Sequence, residues 1–201
     1  HEIGHNWFPM IVGSNERRFM WQDEGFNTFI NQYSTAQFNH GEYNDTTSRY
    51  NHTAQGLAGL ITRSLNMEQD PLMTPSESMS LNEYGLYYDK TALGLDILRN
   101  VILDSTRFDY AFKTYISRWA FKHPQPEDFF RTMNDAAGED LNWFWKEWFF
   151  TTWKLDQGIR GVSYINNDPS QGALITIANF DKMAMPVIVQ VKEENGNYQT
   201  I

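Results

Sequence analysis

Two histidines and a glutamate at the start of the chain have the types and spacing of a metal site. His1 and His5 are four residues apart, so on a helix both imidazoles share one face and can bind one ion. Glu2 lies close enough to hold a water molecule beside that ion. Two histidine ligands with a glutamate as general base are typical of zinc hydrolases, in which Zn²⁺ makes water a usable nucleophile near neutral pH. A coincidental surface pattern is the alternative.

The third ligand separates the classes of zinc hydrolase. In one class a glycine and then a histidine follow the second ligand, but Phe8 and Ile11 occupy those positions here. In the other class the third ligand is a glutamate on a following helix, and Glu24 follows His5 with 18 residues between them. Two histidines and a glutamate with an open fourth position form a catalytic rather than a structural zinc site. Asp23 is a candidate to orient a ligand histidine, or else a solvated charge at a helix start.

The elements that must position these residues are mostly helical. Apolar residues at helical spacing predict helices over 1–12, 21–33, 48–65, 84–103, 108–121, 126–137 and 141–153. Pro9 should kink or shorten the first helix, whereas Pro126 and Gly138 suit the two ends of the sixth. Polar stretches at 36–46 and 68–80 predict loops.

The character of the sequence changes after about residue 156. Short β-branched runs predict strands over 161–165, 173–178 and 186–192, with turn signals at Asn166–Pro169 and Asn195–Asn197. The predicted fold class is therefore mainly α. A helical part over 1–156 is followed by the start of an antiparallel β module over 157–201.

Composition excludes several classes of function. The chain has 201 residues, with 16 Lys and Arg against 25 Asp and Glu, and a net charge of -9. Its basic residues are not clustered, so we expect no nucleic-acid partner. The absence of cysteine excludes disulfides, thiolate zinc sites and a cysteine nucleophile. Apolar runs are far shorter than the roughly 18 residues of a membrane helix, and the composition leaves the compartment open.

Two motifs resemble a known family. H-E-x-x-H, 18 residues, and then Glu24 within Trp21–Phe26 resembles the aminopeptidase N family of zinc metallopeptidases, which includes leukotriene hydrolase. The segment Tyr88-Asp89-Lys90-Thr91-Ala92 with Leu95 is similar to the family's Y-x-K-G-A-x-x-L motif, with threonine in place of glycine. The resemblance covers most of residues 1–156. It implies the helical subdomain of a thermolysin-like metallopeptidase catalytic domain.

The resemblance also implies a set of roles. One Zn²⁺ would be held by His1, His5 and Glu24, and Glu2 would act as general base. Tyr88 would stabilise the tetrahedral intermediate, with Tyr84 and Tyr87 as alternatives in the same segment. The implied activity is that of a zinc-dependent aminopeptidase acting on peptides. A non-catalytic scaffold, a zinc endopeptidase and an epoxide hydrolase are the alternatives.

The start of the chain predicts a fragment. It opens on His1, inside the metal motif. The family recognises the free amine of its substrate through a Gly-x-Met-Glu-Asn strand that lies upstream of this motif. We therefore expect the upstream β subdomain of the same polypeptide to be a partner of this chain. The chain by itself should have weak activity or none.

Overall fold

The chain divides into a helical unit and a β unit. The structure, a computed structural model, describes residues 1–42, 69–79, 85–193 and 195–201. They form two compact units, His1–Thr152 and Trp153–Ile201, whereas the predicted boundary was at 156. The mainly α fold class with a following antiparallel β module is confirmed. The predicted helix over 48–65 lies outside the described residues.

Local sequence signals explain where the helices of the first unit begin and end. Its described α-helices are α1 (Glu24–Gln37), α2 (Gly85–Ile97), α3 (Ser105–Trp119), α4 (Pro126–Ala137) and α5 (Asn142–Phe149). Pro126 opens α4, where its missing N–H is not needed, and Gly138 ends it with a φ of 66°. The Asp104 side chain caps α3 by accepting a hydrogen bond from the Arg107 amide.

The first segment is less regular than the helix predicted over 1–12. It forms a 3₁₀ turn, Gly4–Asn6, and a π turn, Trp7–Ile11, which is interrupted at Phe8. Phe8 has an extended backbone (φ -125°, ψ 110°), because the residue before a proline is disfavoured in the helical region. The end of the segment is held by the bond from the Gly13 amide to the Lys122 carbonyl, at 2.9 Å.

An aromatic core fixes the start of α1. Trp21 and Phe26 lie on either side of Asp23 and Glu24, and both are fully buried. Trp21 stacks on Phe130, with 5.7 Å between ring centroids, and Phe26 packs against other rings of α3 and α4. Such aromatic pairs contribute about 0.5–1.5 kcal/mol beyond area burial. The polar residues between Trp21 and Phe26 are thereby held in place.

Helices α1 and α2 approach each other closely at Gly25. A Cβ atom on Gly25 would lie 2.4 Å from Thr91 Cβ and 2.7 Å from the Tyr87 carbonyl oxygen, so no larger residue fits without movement. Gly25 follows Glu24, and Thr91 lies one turn after Tyr88. The contact therefore brings the third predicted ligand near the predicted catalytic tyrosine.

The β unit contains two small antiparallel sheets. Strands β1 (Gln157–Tyr164) and β2 (Ala173–Asn179) form one, and β3 (Gln190–Lys192) and β4 (Tyr198–Thr200) form the other. Of the residues in the strand predicted over 186–192, only the last three, which are β3, form a strand. Gly196, with a φ of 89°, lies in the predicted turn before β4. Among the described residues, no helix is both long and apolar enough to cross a bilayer.

Gly25→Ala should destabilise the helical unit. The added methyl group would overlap Thr91 at 2.4 Å, and overpacking of this kind typically costs about 1–3 kcal/mol. Urea unfolding followed by tryptophan fluorescence measures the free energy of unfolding. Gly161→Ala is the matched control, since a Cβ there would meet no atom within 4 Å. Equal unfolding free energies for Gly25→Ala and the wild type would contradict the close approach of the two helices.

The buried amine of Lys90 in α2 should make stability depend on pH. Burial lowers the pKa of Lys90 to about 8, and its Nζ donates to Gln69 Oε1 at 3.2 Å. The unfolded chain, whose lysine pKa is about 10.4, then binds more protons than the folded chain above pH 8. Stability due to this group therefore rises between about pH 8 and 10.4, by at most about 1.4 kcal/mol per pH unit.

Lys90→Met should remove this rise, which urea unfolding at pH 7, 8.5 and 10 would detect. The exposed Lys113 of α3 provides the control Lys113→Met, which should keep the wild-type slope. The same pH slope in Lys90→Met and the wild type would show that the amine is hydrated in the folded chain.

Candidate metal centre

The first turn of the chain lies against the start of α1 and brings three predicted ligands together. His1 Nε2 is 2.9 Å from Glu24 Oε2, and His5 Nε2 is 3.4 Å from the same oxygen. One ligand atom from each of the three residues lies within 4.8 Å of the others. Their side chains are 20%, 22% and 18% exposed, so the cluster is partly shielded and still reachable from solvent.

The donor set fits zinc. Imidazole nitrogen and carboxylate oxygen are ligands that Zn²⁺ takes at about 2.0–2.2 Å, and two ligands at tetrahedral angles then lie about 3.4 Å apart. The separation of His5 Nε2 from Glu24 Oε2 has this size. Three protein ligands would leave a fourth position for water or substrate. His1, His5 and Glu24 are therefore the residues that could hold the ion.

Asp23 lies behind His5 rather than in solvent. Asp23 Oδ1 is 2.6 Å from His5 Nδ1, and the Phe8 carbonyl oxygen is 2.9 Å from the same nitrogen. Burial, opposed in part by His5 and reinforced by the Glu24 charge, raises the pKa of Asp23 to about 7. Burial opposes the charged form of His5, but the Phe8 carbonyl and both carboxylates outweigh it and raise the pKa of His5. A proton on His5 Nδ1 leaves Nε2 directed towards Glu24.

Two asparagines of α1 approach the histidines, and the sequence analysis missed both. Asn31 Nδ2 is 3.2 Å from His1 Nδ1, and Asn27 Nδ2 is 2.8 Å from His5 Nδ1. They follow Glu24 by three and seven residues, so they share its face of the helix. The signal that could have found them is their spacing of three and seven residues from Glu24, which places all three on one face of a predicted helix.

Gly4, between the two histidines, leaves room for the Asn27 side chain. A Cβ on Gly4 would lie 2.4 Å from Asn27 Oδ1. The Asn27 side chain donates to the Phe8 carbonyl at 2.7 Å and is 1% exposed. The glycine thus lets the histidine turn sit directly on α1.

The tyrosines of α2 have different surroundings. The Tyr88 ring stacks on the His1 ring, with centroids 5.8 Å apart and an interplanar angle of 26°. Tyr87 is buried, and its hydroxyl donates to the Thr74 carbonyl at 2.9 Å. Tyr84 lies outside the described residues. The Glu2 side chain lies in the histidine turn and is exposed.

An open groove lies beside the cluster. It has a volume of about 790 Å³, and His1 and Asn31 line it together with apolar side chains such as Trp7 and Phe38. Groups in solution can therefore reach the His1 side of the cluster.

The helical unit is the helical part of a peptidase catalytic domain. The profile of the Peptidase family M1 domain matches residues 1–148, and the chain belongs to this family, that of aminopeptidase N.

Aminopeptidases of plants, yeast and mammals are among its relatives. Aminopeptidase M1-B of Oryza sativa subsp. japonica is 28% identical over 159 residues, which are 79% of this chain and 17% of the relative. Aminopeptidase 2, mitochondrial, of Saccharomyces cerevisiae is 24% identical over 204 aligned residues, which cover 98% of this chain and 21% of the relative. Aminopeptidase Q of Felis catus is 23% identical over 135 residues, which cover 65% of this chain and 13% of the relative. The chain thus spans at most about a fifth of the length of these relatives.

The cluster leads us to expect one zinc ion per chain. Elemental analysis after dialysis should find close to one zinc in the wild type, and Glu24→Ala should lose it because two histidines alone hold the ion weakly. Glu127→Ala, in the exposed first turn of α4, is the control and should keep the zinc. Equal zinc contents of Glu24→Ala and the wild type would contradict the ligand set.

Proposed function

We propose that this chain is the metal-binding half of the active site of a zinc-dependent aminopeptidase. The observation that carries the proposal is the convergence of His1, His5 and Glu24 in a chain of peptidase family M1. The relatives named above are aminopeptidases. Because the chain spans about a fifth of their length, we propose it as part of a longer catalytic polypeptide, with weak activity or none alone.

The chain's own acid and base groups suit hydrolysis of a peptide bond. Zinc, when bound, would polarise the scissile carbonyl and acidify water. Glu2 follows the proposed ligand His1 and is exposed, and we assign to it the proton that this water loses and that the leaving amine later receives. His5 would present Nε2 to the ion while its Nδ1 proton is held towards Asp23.

Tyr88 is the group we assign to the oxyanion. Its ring lies on His1, which supports a hydroxyl close to where the substrate carbonyl would be polarised. A phenol donates one hydrogen bond at neutral pH, and such a donor strengthens its bond as negative charge develops on the oxygen. Tyr87 is buried and its hydroxyl donates to the Thr74 carbonyl, whereas the Tyr88 ring stacks on a proposed ligand, so we assign the role to Tyr88.

The family supports a proposal for the substrate class and for one partner. We propose a peptide with a free N-terminal amine as substrate. We propose that its amine is recognised by the upstream β subdomain of the same polypeptide, which these 201 residues do not include.

Substitution of the two assigned groups tests the mechanism in the longer polypeptide. Glu2→Gln removes the base and should lower kcat by roughly 10²–10⁴-fold. Tyr88→Phe removes one oxyanion donor and should lower kcat by roughly 10²–10³-fold. Both should leave zinc content unchanged, because neither residue is a proposed ligand. The assay is release of p-nitroaniline from aminoacyl p-nitroanilides.

Tyr87→Phe is the matched control, since it removes a hydroxyl that bonds to Thr74, and it should keep kcat. Full activity in Glu2→Gln would sink the proposal of a general base at this position. An N-acetylated substrate that is cleaved as fast as the free amine would point to an endopeptidase. A wild type that binds zinc but cleaves no peptide would favour the non-catalytic scaffold.

A further inference from the structure

One face of α1 supplies more of the candidate centre than its third ligand. Glu24, Asn27 and Asn31 lie along this face. The Asn27 amide approaches Nδ1 of His5 and the Asn31 amide approaches Nδ1 of His1, whereas the Nε2 atoms of both histidines lie near Glu24. We propose that Asn27 and Asn31 are positioning residues, which hold the imidazoles of His5 and His1 from the Nδ1 side so that both Nε2 atoms face Glu24. This inference rests on the proposed function, since it deepens the same metal site.

Asn31 controls the position of the proton on His1. In the structure His1 Nε2 lies 2.9 Å from Glu24 Oε2, a distance at which Nε2–H donates to the carboxylate. The opposite nitrogen, Nδ1, then accepts from Asn31 Nδ2 at 3.2 Å. An ion on Nε2 requires the proton to be on Nδ1, which needs an acceptor. The same amide supplies that acceptor when it turns its oxygen to Nδ1.

Asn27 controls the surroundings of His5 in a different way. Its Nδ2 donates to the Phe8 carbonyl at 2.7 Å and lies 3.5 Å from Asp23 Oδ1. These two oxygens are the acceptors nearest to His5 Nδ1, at 2.9 and 2.6 Å. By tethering both oxygens, and with its own Nδ2 only 2.8 Å from His5 Nδ1, Asn27 holds the Nδ1 edge of the ring on the side away from Glu24. Its burial and its contact with Gly4 leave the amide little freedom to move.

An amide suits position 31 because it has both a donor and an acceptor. The aspartate side chain is of nearly the same shape but can only accept when ionised. Asn31→Asp should therefore pull the proton of His1 onto Nδ1 even without zinc. Asn31→Leu keeps the approximate volume and removes both functions.

Nitrogen-15 NMR of histidine-labelled protein tests the inference without zinc. At about pH 8.5, two units above the usual histidine pKa, the wild type should show His1 Nδ1 in the range of an unprotonated ring nitrogen. In Asn31→Asp the same resonance should move towards the protonated range. Thr35→Leu is the matched control, because Thr35 lies one turn further along α1 and lines the same groove; its His1 resonances should match the wild type.

Zinc affinity provides the second readout, by competition with a chromophoric chelator. Asn31→Leu should weaken zinc binding roughly 10–100-fold, the usual effect of removing a hydrogen-bond partner of a ligand histidine. Asn31→Asp should bind zinc at least as tightly as the wild type, and Thr35→Leu should match it. Circular dichroism checks that each variant is folded.

The two proposals can fail separately. A wild type that binds no zinc would count against the proposed metal site, while the zinc-free resonance of His1 Nδ1 would still decide the role of Asn31. If Asn31→Asp and Asn31→Leu leave both that resonance and the zinc affinity unchanged, the inference is overturned.

Discussion

The close approach of α1 and α2 at Gly25 is the constraint on which the candidate centre depends. With no Cβ on Gly25, the backbone of α1 packs directly on Thr91 and on the Tyr87 carbonyl. Glu24 and Tyr88 are each within one turn of this contact, so the spacing of the two helices sets their separation.

Burial of the aromatic core stabilises this arrangement. Trp21 and Phe26 are fully buried around Asp23 and Glu24. A buried aromatic side chain removes roughly 150–250 Å² from water, which at about 25 cal/mol per Å² contributes about 4–6 kcal/mol. The polar start of α1 therefore stays packed, and its carboxylates are held towards the histidines rather than towards solvent.

The electrostatics of the cluster favour a bound cation. Two neighbouring carboxylates, Asp23 and Glu24, are partly removed from water beside two imidazoles. Burial and the nearby Glu24 charge raise the pKa of Asp23 to about 7, so a proton shared with His5 compensates part of the negative charge. A divalent ion held by His1, His5 and Glu24 would compensate the rest. In this way the fold brings carboxylate charge and imidazole nitrogens together around one point.

Local patterns in the sequence were sufficient for the helical fold class, for the two ends of α4 and for proposing the ligand types and spacing. These depend on neighbours within a few residues, such as Pro126 and Gly138, or on a fixed motif. The tertiary structure decided that 1–12 is two broken turns, that Tyr88 rather than Tyr87 lies on His1, and that Asn31 reaches the same imidazole. Helical spacing shows which residues share a face, but not which distant element packs against that face. Only the packing of α1 on α2 and on the histidine turn supplies that information.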